Sequence, residues 1–196
     1  MLPDGIGIKL ASKMLRVNLR ENVNGTDLFP RLCARLAEEG QSIFLIGARE
    51  GIPEAVAANM NAQYPTLRIA GTQHGYFRED ETPEVIERIN QSGADFLFVA
   101  FGVPKQELWL AEHREALRVP VRLAVGGLFD FYSGRIPRAP QWLREIGMEW
   151  AWRLLQEPGR MWRRYIVGNP LFLFRVWRQA QHDEQGLEEE LIERFS

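Results

Sequence analysis

The chain has 196 residues, 45% hydrophobic and 26% charged, which is globular composition and excludes disorder over most of its length. A formal net charge of -2 excludes a uniformly basic nucleic-acid coat and leaves room for a local basic patch; no nucleic-acid partner is expected. One cysteine, Cys33, and three scattered histidines exclude both an intramolecular disulfide framework and a multi-thiolate metal site.

Gly5 to Leu15 reads as a first helix and Asp27 to Glu39 as a second. Ser42 to Ile46 is an apolar strand closed by Gly47, and Ile52 to Tyr64 follows as a helix with Pro53 in its first turn. Leu67 to Ala70 is a short strand. Thr82 to Asn90 opens with a capping threonine, a proline suited to the first turn and Glu84 at the positive end of the dipole. Asp95 to Phe101 is a near-continuous apolar run, the pattern of a strand buried on both faces. Lys105 to Leu117 is helical, and Val121 to Val125 is a further buried strand. This rhythm of strand and helix predicts an α/β fold: a Rossmann-like parallel sheet with helices on both faces.

Strand signals stop near Pro140, and the chain divides into a body over 1–140 and a helical appendage over 141–196. Between Trp142 and Arg178 the appendage carries Arg144, Arg153, Arg160, Arg163, Arg164, Arg175 and Arg178 against three glutamates, with five tryptophans interspersed. Its end, Asp183 to Glu193, is acidic. The apolar stretch Ile166 to Trp177 is broken by Asn169-Pro170 and falls short of the roughly 20 residues needed to span a bilayer. Without a basic region and long apolar run at the amino terminus, no signal peptide is expected, and the protein is expected in the cytoplasm.

Ligands of open parallel sheets bind beyond the carboxyl ends of the strands, so the loops there hold the candidates. Gly47 and Gly51 frame the turn GAREG, which can present backbone N–H groups to a phosphate or serve as a plain strand-to-helix turn. In GTQHGYF, Gly71 and Gly75 flank Gln73 and His74, either as a polar pocket or as a loop ordered by Tyr76 and Phe77. Lys105, Gln106 and Glu107 start a helix just after the central strand, where a lysine and an amide suit a diphosphate or a sugar hydroxyl. Asp130, set among aromatics, needs a partner, and Arg135 and Arg138 are the obvious ones. Asp4 can cap the first helix or act as a base beside the same crevice.

At these loops the sequence resembles the WecG/TagA/CpsF glycosyltransferases of bacterial surface-polysaccharide and exopolysaccharide assembly. The resemblance rests on PDGIGI (Pro3 to Ile8), NGTDL (Asn24 to Leu28), FLIGAREG (Phe44 to Gly51) and YPTLRIAGTQHGYF (Tyr64 to Phe77). It continues through INQSGADFLFVAFGVPKQELW (Ile89 to Trp109), VGGLFDFYSGRIPRAPQW (Val125 to Trp142) and EWAWRLLQEPGRMWRRY (Glu149 to Tyr165). It implies a metal-independent, cofactor-free, inverting transfer from a UDP-sugar donor to an undecaprenyl-diphosphate-linked acceptor at the inner face of the membrane. The family's base falls on Asp4, its pocket glutamine on Gln106, and its diphosphate arginines on Arg153 and Arg160, with Arg163 and Arg164 nearby. The resemblance also implies a peripheral membrane location through the appendage and leaves homo-oligomerisation, the donor sugar and the acceptor glycan open. Family members carry a further strand–helix–strand portion ahead of the DG motif, with a threonine and an asparagine in the pocket. Here Pro3 stands two residues from the start, so the sheet is expected to lack those strands.

Two other readings compete. A Rossmann oxidoreductase lacks its GxGxxG and ribose-binding acid here, whereas a non-catalytic nucleotide- or membrane-binding module remains compatible with the arginine- and tryptophan-rich appendage.

Overall fold

The computed structural model describes residues 6–18, 25–140, 142–143 and 148–181. By contact the chain forms two units, Gly25–Arg138 and a second made of Met1–Asn24 with Ala139–Ser196.

The first unit has the expected α/β class, although it begins at Gly25 where the sequence predicts a body over 1–140. It runs through α2 (Gly25–Glu38, the second helix of the chain after α1, Ile6–Met14), β1 (Ser42–Gly47), α3 (Ile52–Gln63), β2 (Arg68–Gln73), a 3-10 turn (Glu79–Glu81) and α4 (Thr82–Gln91). It continues through β3 (Phe96–Ala100), α5 (Lys105–Glu112), β4 (Val121–Ala124) and α6 (Leu128–Tyr132). The four strands are all parallel in the order β2-β1-β3-β4.

Alternation along the strands divides the core into two layers. Ile43, Leu45, Phe98 and Ala100 pack with Phe29, Cys33 and Leu36 of α2, Val56 and Met60 of α3, and Phe129 of α6. Phe44, Ile46, Leu97 and Val99 point the other way, to Val85 and Ile89 of α4 and Trp109 of α5. Helices therefore cover both faces, and the continuous apolar runs of β1 and β3 follow from that. Burial also pushes the Cys33 thiol up to about 12, so it sits in the core as a small hydrophobe.

Strand order fixes where a ligand can enter. From β1 the chain moves outward to β2 over one face, then returns across the other face to β3 and onward to β4. The winding reverses between β1 and β3, and the crevice of such a sheet lies beyond the carboxyl ends of that pair.

Two elements end elsewhere than their sequence suggests. β2 extends through Gly71, Thr72 and Gln73, because those residues pair with Phe44, Leu45 and Ile46 of β1 after a bulge at the Ile43/Phe44 step. A side chain at Gly71 would meet the Phe44 ring at 2.5 Å, which explains the glycine inside the strand. α5 stops at Glu112 instead of Leu117; turns over 113–116 then drop Leu117 and Val119 into the core.

In the second unit, α1 spans Ile6–Met14, close to the expected first helix. Carboxyl-terminal helices follow as α7 (Glu149–Gln156) and α8 (Pro158–Trp162). A π turn over Arg163–Gly168 leads into α9, helical over 169–181. The break expected at Asn169-Pro170 is this widened turn, which relieves the collision between a proline ring and the preceding turn without ending the helix. Among the described residues, no helix is long and apolar enough to cross a membrane.

Candidate functional site

The loops after β1, β2 and β3 are tied to one another at the reversal point. Ala48 N donates to Ala100 O at 3.0 Å, and Gly75 N donates to Ala48 O at 2.9 Å. These bonds bring three backbones into close approach, and glycine permits it. A Cβ on Gly47, whose φ is +131°, would stand 2.5 Å from the Ala100 carbonyl. A Cβ on Gly75 would stand 2.9 Å from the Phe101 ring and 3.0 Å from the Gly47 Cα. Gly47 and Gly75 thus form a bare backbone floor over Phe101. Gly51, also left-handed at φ +80°, caps the start of α3 with its backbone alone.

Lys105 is exposed in the first turn of α5, with Nζ 5.3 Å from the centre of the Phe101 ring. The cation, the amino end of α5 and the glycine floor therefore lie around one ring. A lysine at the amino end of a helix is chemically suited to an anionic group, and the buried glycine floor beside it holds the backbone that shapes the place.

The two glutamines behave differently from exposed pocket residues. Gln106 is buried; its Oε1 accepts from Gly126 N at 2.9 Å and its Nε2 donates to Glu107 Oε1 at 2.9 Å. Gln73, the last residue of β2 and not part of the loop beyond it, is also buried. Its Oε1 accepts from Arg88 of α4, and its Nε2 donates to His74 O at 3.4 Å. Glu107 is exposed.

The aromatic pair after β2 splits. Phe77 packs edge-on against Phe101 at 5.8 Å, while Tyr76 is exposed beside Gly75. His74 Nδ1 accepts from Tyr76 N at 3.3 Å, which shapes that exposed turn. Asp130 pairs with Arg135 at 2.7 Å, and Arg138 pairs with Asp27 of α2. One of the two arginines expected at Asp130 thus ties the end of this unit back to its first helix.

Arg88 and Tyr76 are functional candidates that spacing alone did not single out. Arg88 lies beside the buried face of α4 formed by Val85, Ile86 and Ile89, a position readable from the helical period. Nothing in the sequence marks Tyr76 as the ring left exposed.

A separate groove of about 1050 Å³ lies between α4 and α5, lined by Phe77, Ile86, Leu108, Trp109 and Arg118 among others. It includes Lys105 but none of Gly47, Gly75 or Gln106. It lies away from the strand ends at the reversal of the sheet, where ligands of open parallel sheets bind, and is the weaker site on that ground. Among the described residues, no group of three His, Cys, Asp or Glu side chains is placed to hold a metal.

The remaining expected site residues belong to the second unit. Asp4 lies outside the described residues. Arg153 is half-buried on α7. Arg160 is on α8 and Arg164 in the π turn, with their side chains outside the described set. Arg163 stacks over Trp162 at 5.5 Å, and Trp150 meets Tyr165 at 5.9 Å.

Comparison with known proteins converges on one family. The model of the glycosyl transferase WecG/TagA/CpsF family matches residues 1–186. An N-acetylglucosaminyldiphosphoundecaprenol N-acetyl-beta-D-mannosaminyltransferase of Bacillus subtilis (strain 168) is 34% identical over 182 residues, 93% of this chain and 70% of the relative. The protein of the same name from Bacillus spizizenii (strain ATCC 23059 / NRRL B-14472 / W23) is 34% identical over 166 residues, 85% of this chain. The chain spans only 63% of that second relative's length. With a parallel sheet wound in both directions and the match extending over nearly its whole length, the chain belongs to the WecG/TagA/CpsF family of glycosyl transferases.

Proposed function

We propose that this glycosyl transferase moves a sugar from a UDP-sugar to an undecaprenyl-diphosphate-linked saccharide, with inversion at the anomeric carbon, at the cytoplasmic face of the membrane. The donor sugar is of the N-acetylmannosamine type, in line with what the two relatives are named for; N-acetylmannosaminuronic acid and glucose are the alternatives. The observation that carries the reading is the glycine floor of Gly47 and Gly75 at the reversal of the sheet, beside Lys105 and the amino end of α5.

In this reading Lys105 and the amino end of α5, set beside the floor, take the UDP diphosphate, since a lysine and the positive end of a helix favour concentrated negative charge. Tyr76, exposed beside the floor, offers a ring face for the base. Asp4 removes the proton from the acceptor hydroxyl. The acceptor oxygen then bonds to the anomeric carbon from the side opposite UDP, and the bond from that carbon to the diphosphate oxygen breaks, its electron pair leaving with UDP. Arg153, Arg160 and Arg164 neutralise the charge gathering on the departing diphosphate. No metal or cofactor enters the scheme.

The exposed rings and arginines of the carboxyl-terminal helices support a peripheral membrane role. Apolar rings suit the lipid boundary, and each cation near an anionic surface adds on the order of 1 kcal/mol.

The test is transfer from UDP-N-acetylmannosamine to a lipid-linked N-acetylglucosamine acceptor, in the full-length gene product. Asp4→Asn should lower turnover by about a hundredfold while UDP still binds, the usual scale for losing a general base. Undiminished turnover would leave Asp4 as a helix cap only.

A further inference from the structure

The β3–β4 ladder ends with Val125 N donating to Val99 O at 2.9 Å. The next N–H along the chain, that of Gly126, goes to a side chain: Gln106 Oε1, at 2.9 Å and 20 residues away in sequence. Gln106 therefore adds one rung beyond the end of the sheet. This rung joins the start of α5, which follows β3, to the turn that follows β4. Gly126 holds φ +59°, a left-handed conformation, so the turn takes its shape from glycine and its tether from Gln106.

The other end of the same amide is also engaged. Gln106 Nε2 donates to Glu107 Oε1 at 2.9 Å, although Glu107 itself is exposed. An amide that is only 3% exposed must find its partners within the protein, and these two bonds satisfy its carbonyl and one of its N–H groups. A side chain so engaged is poorly placed to exchange partners with an arriving sugar, because each bond lost in the interior is costly.

We infer that Gln106 is a positioning residue: its buried amide fixes the Gly126–Gly127 turn and the Glu107 carboxylate as one wall of the crevice. The group this wall presents is Glu107, whose carboxylate has one oxygen held by Gln106 and suits a hydroxyl of the sugar or ribose. The assignment of that hydroxyl rests on the donor site proposed above; the bracing role of Gln106 does not.

Three variants of the full chain separate the possibilities. Gln106→Met keeps the buried bulk and removes both bonds. Gln106→Glu keeps an acceptor for Gly126 but sets two carboxylates against each other. The double variant Gln106→Glu/Glu107→Gln restores the contact with its donor and acceptor exchanged. Amide hydrogen exchange at Gly126 should accelerate about tenfold in Gln106→Met, with Val125 unchanged, and return to near wild type in the double variant.

In transfer assays Gln106→Glu should raise the donor KM about tenfold with a smaller fall in kcat, and the double variant should recover most of that loss. Wild-type exchange at Gly126 in Gln106→Met would overturn the inference, as would a double variant no better than Gln106→Glu in both readouts. If Gln106→Met fails to fold, the other two variants decide the matter alone. Absence of UDP binding with the exchange pattern intact would refute the donor site and leave the brace standing.

Discussion

In Gly25–Arg138 the rings of Phe29, Phe44, Phe98 and Phe129 are at most 2% exposed, whereas Trp162, Phe174 and Trp177 of the other unit are 45%, 54% and 47% exposed. The same residue types thus serve opposite ends. In the sheet unit they fill both layers of a core, and stability comes from their removal from water. In the carboxyl-terminal helices they stand exposed in the same stretch as Arg163, Arg175 and Arg178, the combination of rings and cations on which the proposed membrane role rests. The difference separates rings that hold the fold from rings left open to solvent among the described residues, which the proposed function assigns to the membrane surface.

Substitutions that remove a ring should break the two units apart most sharply. Phe98→Ala empties a core position and should lower unfolding stability by about 3–5 kcal/mol in urea denaturation. Trp177→Ala should change it by no more than about 0.5 kcal/mol, yet reduce co-sedimentation with anionic liposomes. Equal losses of stability in the two variants would erase the contrast.

Gly47→Ala should come next, costing about 2–4 kcal/mol, because a methyl group would overlap the Ala100 backbone and hold an L residue at φ +131°. Its melting temperature checks this. A neutral result would mean that the glycine floor is looser than its geometry indicates.

The smallest effect is at the opposite end of the strands. Asp95 accepts from Ser42 N at 2.7 Å and from Ser42 Oγ at 2.8 Å, and these bonds, the backbone one foremost, hold its carboxyl below the usual carboxylate range. A lowered folded pKa contributes stability above the unfolded value of about 3.9, and that contribution is lost as pH falls through the folded value. Wild type should therefore lose more stability than Asp95→Asn between pH 5 and pH 3, measured by denaturant midpoint. Parallel pH profiles would remove Asp95 from the account.

The strands of this sheet were legible where both faces are covered. Ile43–Ile46 and Phe96–Phe101 are apolar without interruption and contain or match the buried strands β1 and β3, whereas Val121–Val125, expected as a further buried strand, carries Arg122 and is an edge strand among the described residues, only partly buried. The end of β2 was not legible, because Gly71-Thr72-Gln73 has the composition of a loop and is a strand only through its pairing with β1. α5 carries no stop signal at Glu112; its end is set by the burial of Leu117 and Val119. The site shows the same division. Sequence located Gly47, Gly75 and Lys105 near strand ends, since apolar runs and the glycines that punctuate them are local signals. It could not show that Gln73 and Gln106 are turned inward, because their partners Arg88 and Gly126 stand on other elements.

The central claim is that UDP binds at the reversal between β1 and β3. Titrating UDP into the isotopically labelled chain and following its backbone amide resonances tests this most directly. The account predicts saturable shifts at Gly47 to Gly51, Gly75, Gly102, Val103, Lys105 to Glu107 and Gly126. Shifts confined to the α4–α5 groove, around Glu87, His113 and Arg118, or none at all with excess UDP, would contradict it.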